Sequence, residues 1–235
     1  MDDFFQACEK GRYEVVKNYL ENGDNVSSIN YASVENRYGR TGMYFACKND
    51  NLSVFGLLYK KGADINKKFS NGKSYLHVAC WYGSFKIVKF LLNHIDVDVK
   101  DNSGFTPLFY ASCRNGLGMN MLLLENGADI HMKNNSGFNC LHLACARGNY
   151  DVVKFLVENG ANFQGKDKYG LSPLSIAVKN FDLIKENEID NVGSMEEYQQ
   201  TIDFLRNHMK KNAYILSLIV QNDVLKHHIL RKMTK

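Results

Sequence analysis

The chain has 235 residues, 45% hydrophobic and 23% charged, the make-up of an ordinary folded protein, which excludes a disordered or collagen-like one. Its formal net charge of +4 is too small to argue for a nucleic-acid partner, since solvated faces account for it. The opening MDDFFQACEK lacks a basic-then-apolar run, and the longest apolar stretch, Tyr214 to Val220, is too short to cross a bilayer. The expected setting is therefore intracellular and reducing: cytoplasm, nucleus or, for an effector, a host cytosol.

In chain order, QACEKGRYEVVKNYLENGDNV comes first and reads as two short helices without an opening turn. About six extra residues around Asn30–Glu35 follow, and then a repeat sets in. Five segments align: YGRTGMYFACKND at 38–50, NGKSYLHVACWYG at 71–83, SGFTPLFYASCRN at 103–115, SGFNCLHLACARG at 136–148 and YGLSPLSIAVKNF at 169–181. Their glycines, Gly39, Gly72, Gly104, Gly137 and Gly170, are spaced 33, 32, 33 and 33 residues apart. Ala46, Ala79, Ala111, Ala144 and Ala177 keep the same beat. Each unit reads as a turn, a short helix, a second helix and a loop. The glycine supplies the turn. Thr106 can cap the helix that Pro107 opens, and both prolines of the chain, Pro107 and Pro173, occupy this slot. In the second helix, Val152, Val153, Phe155 and Leu156 cluster on one side, and Gly160 suits the left-handed position that ends it. No unit is long enough to bury its apolar face alone, so neighbours must stack.

This pattern resembles the ankyrin repeat, a G-x-T-P-L-H-x-A turn and helix followed by a G-A-D-x-N loop, over residues 2–209. The resemblance implies an all-α, right-handed α-solenoid of helix-turn-helix repeats with β-hairpin loops. Six repeats are expected, at about 2–30, 36–67, 68–100, 101–133, 134–166 and 167–209. The sixth carries an acidic insertion near 181–196, read as a surface loop or short irregular turn. Ser194 with Glu197 looks like a capping box restarting its second helix. Residues 181–200 carry a net −5 and residues 201–235 a net +5. Gly42 and Tyr75 stand where the proline should be, and His94-Ile95 replace a loop.

Residues 210–235 have no place in the repeat. Tyr214, Leu218, Val224, Leu225, Ile229 and Leu230 suggest amphipathic helices covering the open end of the solenoid. Two other uses are a membrane or helical-partner contact, and an F-box-like element recruiting a ubiquitin ligase. The last would make the chain a substrate adaptor.

Six cysteines and the histidines invite a catalytic or metal reading. Cys8, Cys47, Cys80 and Cys145 follow the repeat alanine, where a small apolar group is buried; Cys140 fills the proline slot and Cys113 lies just past the small-residue slot. Their spacing is that of the repeat and carries no ligand geometry. His77 and His142 are the histidine of the turn-and-helix motif, which in this family bonds between turns of adjacent repeats. His77 and Cys80 could form a dyad, but His142 and Cys145 repeat the relation with the fold period. No enzyme activity, cofactor or metal is expected.

The resemblance also implies that a partner docks on the concave side, on hairpin tips and first-helix ends. The strip there holds Arg37, Arg40, Lys48, Phe69, Lys73, Trp81, Tyr82, Phe105, Arg114, Phe138, Arg147 and Tyr169, with Glu9 as its acid. Trp81–Tyr82, flanked by Phe105, Arg114, Phe138 and Arg147, form its expected centre, because Trp, Tyr and Arg most often carry interface energy. The expected function is a monomeric, non-enzymatic module binding another protein with an acidic and apolar surface. Two prolines and abundant Asn, Lys, Ile and Tyr hint at an AT-rich genome, and with it a pathogen or viral effector acting on host proteins. Leu58 with Asp64-Ile65-Asn66 also resembles the sequence that asparaginyl hydroxylases modify, with Asn66 as acceptor.

Overall fold

Each regular unit opens on a turn that only a left-handed residue closes. Gly104, at φ 80°, lets the Asp101 N–H reach the Phe105 carbonyl at 3.0 Å, and a Cβ there would lie 3.0 Å from the backbone nitrogen of Asn135. The computed structural model describes residues 2–21, 35–114, 116–186 and 193–221. Successive turns bond to each other: Asn102 N–H donates to Asn71 O (3.1 Å), Asn135 N–H to Ser103 O (3.0 Å) and Lys168 N–H to Ser136 O (2.9 Å). The expected β-hairpin loops are therefore tight turns joined edge to edge. Among the described residues the one isolated β-bridge pairs Glu35 with Thr41.

Twelve helices make up the rest of the described fold, in six pairs. They are α1 (Asp2–Glu9) and α2 (Tyr13–Glu21), α3 (Gly42–Lys48) and α4 (Leu52–Lys60), α5 (Tyr75–Tyr82) and α6 (Phe85–Leu91), α7 (Pro107–Cys113) and α8 (Leu117–Glu125), α9 (Cys140–Arg147) and α10 (Tyr150–Glu158), and α11 (Pro173–Lys185) and α12 (Met195–Gln221). Helices this short are unstable alone, so their ends and faces must be satisfied by neighbours. In α9, the Asn139 side chain accepts from the His142 N–H while His142 Nδ1 accepts from the Asn139 N–H, both at 3.1 Å. The end of α10 is closed by Gly160 N–H to Val157 O (3.0 Å) and Ala161 N–H to Leu156 O (2.9 Å).

One expected cap is not made. Thr106 precedes Pro107, but its buried hydroxyl has no partner, and the Phe109 N–H donates to the Thr106 carbonyl (3.1 Å). The equivalent Thr41 accepts from the Tyr44 N–H (3.3 Å) and also meets the Tyr75 hydroxyl at 2.7 Å. Tyr75, standing where a proline was expected, thereby ties one repeat to the next.

The first helices stack directly, α1 on α3, α3 on α5, α5 on α7, α7 on α9 and α9 on α11. The five repeat alanines, Ala46 to Ala177, are wholly buried in this row, where a larger side chain would hold the helices apart. Contacts between consecutive second helices are sparser than those between consecutive first helices. Between the rows, linker side chains take carbonyls left over at first-helix ends: Asn51 reaches Glu9 O (2.6 Å), Ser84 Oγ reaches Cys47 O, and Asn149 reaches Ser112 O (2.9 Å).

The last unit departs from the expected layout. Phe181 to Lys185, assigned to an acidic surface loop, are the final turns of α11. Residues 187–192 of that insertion lie outside the described residues. Ser194 and Glu197 form a reciprocal cap, with Ser194 N–H donating to Glu197 Oε2 (2.8 Å) and Glu197 N–H to Ser194 Oγ (3.2 Å). From there α12 runs through 209 and 210 without a break, since no glycine or proline interrupts it. Tyr198, Ile202 and Leu205, at i, i+4 and i+7, are buried against α10 and α11. Tyr214 is exposed on the same helix; Val224, Leu225, Ile229 and Leu230 lie outside the described residues, as does the side chain of Leu218.

Candidate functional site

Burial decides the chemistry of the cysteines and histidines. Cys8, Cys47, Cys80, Cys140 and Cys145 are at most 1% exposed, and burial pushes each thiol up, to about 12 for Cys8 and Cys140. Cys113 is half-buried. Alkylation of the native chain should therefore modify Cys113 first among the described thiols, with the five buried ones reacting only in denaturant. Peptide mapping by mass spectrometry checks this, and rapid native labelling of Cys47 or Cys80 would contradict it.

His77 has both ring nitrogens engaged. Nδ1 accepts from the Ser74 N–H (3.0 Å), which assigns the proton to Nε2, and Nε2 donates to the Phe105 carbonyl of the next repeat (3.0 Å). Burial lowers the pKa of this imidazole to about 4, outweighing the opposing bond to Phe105 and the nearby Asp101 carboxylate. His142 repeats the arrangement with the Leu171 carbonyl at 3.2 Å, and its pKa is lowered by burial too. These histidines bridge repeats, and neither ring nitrogen of His77 is directed at Cys80. Among the described residues no group of three His, Cys, Asp or Glu side chains is placed to hold a metal.

The expected strip resolves into a cleft and its surroundings. A cavity of about 340 Å³ opens between the second, third and fourth repeats, lined by Tyr38, Arg40, Tyr44, Phe69, Ser70, Asn71, Lys73, His77, Val78, Trp81, Tyr82 and Tyr110. No Asp or Glu lines it. Beyond Trp81 and Tyr110 lies a second, apolar cavity of about 180 Å³, bounded also by Phe105, Phe109, Cys113 and Leu143. Trp81 and Tyr110 meet edge to face with centroids 6.1 Å apart and form the wall between the two.

Five of the expected residues, Arg40, Phe69, Lys73, Trp81 and Tyr82, come together in the first cleft, and Phe105 joins Trp81 in the second. The Arg114 guanidinium lies over the Trp81 ring at 5.1 Å. The remaining residues stand apart. Lys48 is paired with Glu9 at 2.6 Å, so the cap acid neutralises it. Phe138 packs on His142 (5.3 Å), and Arg147 Nε contacts Cys113 Sγ (3.3 Å). Arg37 lies over Tyr38 at the outer turn (4.8 Å), and Tyr169, 70% exposed, stands two repeats away. Asn66 is exposed in a loop, where its N–H donates to Asp64 Oδ1 (2.9 Å).

Tyr44 and Tyr110 complete the cleft and were not among the expected residues. Tyr110 donates its hydroxyl to Asp101 Oδ2 (2.7 Å), and Asp101 Oδ1 accepts from the Ser103 and Phe105 N–H groups (2.9 and 3.0 Å), so the ring is fixed to the turn. In the sixth repeat Asp167 holds its turn in the same way, but Ile176 takes the tyrosine position and Asp167 Oδ2 is left without a partner. Tyr44 packs edge to face on Phe69 (5.4 Å) and Tyr82 (6.4 Å), and its burial beside Tyr82 pushes its hydroxyl up to about 12. Their sequence signal is helical spacing: Tyr110 on α7 lies four residues before Arg114, the residue that caps its C-terminal end, and Tyr44 on α3 four before Lys48.

Among the described residues no helix is long and apolar enough to cross a membrane. A family model described as ankyrin repeats matches residues 4–101, 68–134 and 118–190, well over half of the chain. Over 71 residues the chain is 42% identical to delta-latroinsectotoxin-Lt1a of Latrodectus tredecimguttatus, covering 29% of this chain and 6% of that protein. A putative ankyrin repeat protein of fowlpox virus is 32% identical over 94 residues, covering 40% of this chain and 22% of its own length. Ankyrin repeat and SAM domain-containing protein 6 of Rattus norvegicus is 33% identical over 106 residues, covering 44% of this chain and 11% of that protein. The chain thus spans less than a quarter of the length of each of these relatives.

Proposed function

Because the chain belongs to the ankyrin-repeat family, whose repeats mediate protein–protein interaction, we propose that it binds a partner protein through the strip centred on Trp81, without catalysing a reaction. The observation that carries this reading is the cleft itself: five aromatic rings besides Trp81 and two cations converge on it from three repeats, and no acid lines it. Such clusters of Trp, Tyr and Arg beside a concavity are where interface energy concentrates. Arg40, Lys73 and Arg114 favour a partner whose docking surface is acidic as well as apolar, with the charges chiefly steering encounter.

The adaptor reading gains nothing from the described part of the tail, where residues 210–221 extend α12. A host-directed effector role is a finer proposal resting on composition. Affinity capture with the wild-type chain and a Trp81→Ala/Arg114→Glu variant tests the strip. Partners bound by the wild type should weaken by roughly 30-fold or more, the loss of about 2 kcal/mol typical of one central aromatic. Circular dichroism should confirm an unchanged fold in the variant. Equal recovery of the same proteins by both chains would refute the assignment.

A further inference from the structure

The aromatic cleft has the look of a cage for an organic cation, yet the chain's own cations already occupy its rings. Lys73 Nζ lies 4.6 Å from the centroid of Tyr110, the Arg40 guanidinium 5.0 Å from Tyr44, and the Arg114 guanidinium 5.1 Å from Trp81. A methylated lysine or other cation entering there would meet like charge at each of those rings. None of the three forms a salt bridge among the described residues, where the ion pairs are Lys48–Glu9, Lys61–Glu21 and Lys67–Glu35. Asp101 lies nearby, but its carboxylate accepts from two turn amides and the Tyr110 hydroxyl. Rings hold the cations in place while leaving N–H groups to donate, and that arrangement suits an anion.

The second cavity adds a different demand. Its lining (Trp81, Phe105, Phe109, Tyr110, Cys113, Leu143) offers almost no polar surface, and its roughly 180 Å³ matches one large apolar side chain. Trp81 and Tyr110 line both cavities, so it adjoins the cationic cleft. Because the two cavities adjoin at Trp81 and Tyr110, side chains i and i+2 of an extended peptide, about 7 Å apart on one face, are suited to enter one each.

Resting on the binding strip proposed above, we propose that the cleft recognises a short extended peptide segment of its partner. That segment carries an Asp or Glu side chain held by Arg40 and Lys73, and a large apolar side chain two residues away seated behind Trp81 and Tyr110. The two subsites lie on opposite sides of one wall, so the motif is read as a pair.

A phage-displayed library of random dodecapeptides panned on the full chain tests this, with the enriched peptides then measured by fluorescence polarisation. Enriched peptides should share an acidic residue two positions from Leu, Ile, Met, Phe or Trp. Arg40→Glu/Lys73→Glu should weaken them at least tenfold, and Asp→Asn in the peptide should weaken wild-type binding but add little in that variant. A bound peptide should also slow alkylation of Cys113, and its alanine substitute at the apolar position should not. Enrichment of basic or charge-indifferent peptides, binding unaffected by the charge reversal, unprotected Cys113, or no enrichment at all would each overturn the proposal. Peptides that depend on Trp81 but not on charge would leave the strip standing and remove the motif. Peptides indifferent to Trp81→Ala would remove both.

Discussion

Replacing Gly148 with alanine is expected to destabilise the chain by about 3 kcal/mol or more, against about 1 kcal/mol for the same change at Gly83. Both glycines end a first helix in the left-handed region, at φ 67° and 75°, so both variants bear the strain of alanine in that conformation. They differ in what surrounds them. A Cβ on Gly83 would meet nothing within 4 Å, whereas one on Gly148 would lie 2.7 Å from two ring carbons of Tyr198. That ring cannot swing aside, because it is wholly buried and its hydroxyl donates to the Ala146 carbonyl at 2.6 Å. Urea unfolding of the two variants measures the difference. Repeat arrays couple mainly between neighbours, so Gly148→Ala should also speed hydrogen exchange in α12 before the earlier helices. Equal losses at the two sites would show that Tyr198 does not lock the last repeat.

The second large effect is a loss of stability in mild acid caused by His77. Its pKa is lowered from 6.5 to about 4 in the fold, chiefly by burial, so the unfolded chain binds the proton more readily. The contribution of the neutral ring is thus fully present above about 6.5, shrinks as pH falls toward 4, and changes no further below that. At 1.36 kcal/mol per unit the whole effect is about 3 kcal/mol, of which about 2 should be lost between pH 7 and pH 4.5. His142, shifted the same way, adds to it. Carboxylates titrate over part of this range in any protein, so the decisive quantity is a difference. His77→Gln should lose about 2 kcal/mol less than the wild type over that interval. Parallel pH dependences for the two chains would show that His77 carries no such coupling.

Most of the fold was legible because each repeat restates it. Gly72, Gly104 and Gly137 recur at one beat and each adopts a positive φ. The alanines recur with them and are all buried. The same beat placed Cys47, Cys80 and Cys145 in packing positions and His77 and His142 between turns, where the structure holds them. The exceptions are local. Thr106 makes no side-chain cap, and the Phe109 N–H donates to its carbonyl. Phe181 to Lys185 remain helical because nothing in them stops a helix whose apolar side chains are partly buried.

The candidate site was legible only in part, and the division has a physical origin. Trp81, Tyr82, Arg40 and Lys73 break the repeat pattern at hairpin tips and first-helix ends, so the sequence by itself determined that an aromatic and basic strip exists. Its membership depends chiefly on contacts between repeats and on how each turn is held. Lys48 leaves the strip by pairing with Glu9, and Lys73 enters it by lying over Tyr110. Tyr110 faces the cleft because Asp101, held by its own turn, anchors the hydroxyl. Periodicity sets which residues occupy equivalent slots, and so it dictated the repeat, the buried alanines and the bridging histidines. Stacking of one turn on the next sets which slots meet across repeats, and only the tertiary structure decided that five of the expected residues, with Tyr44 and Tyr110, enclose one cleft.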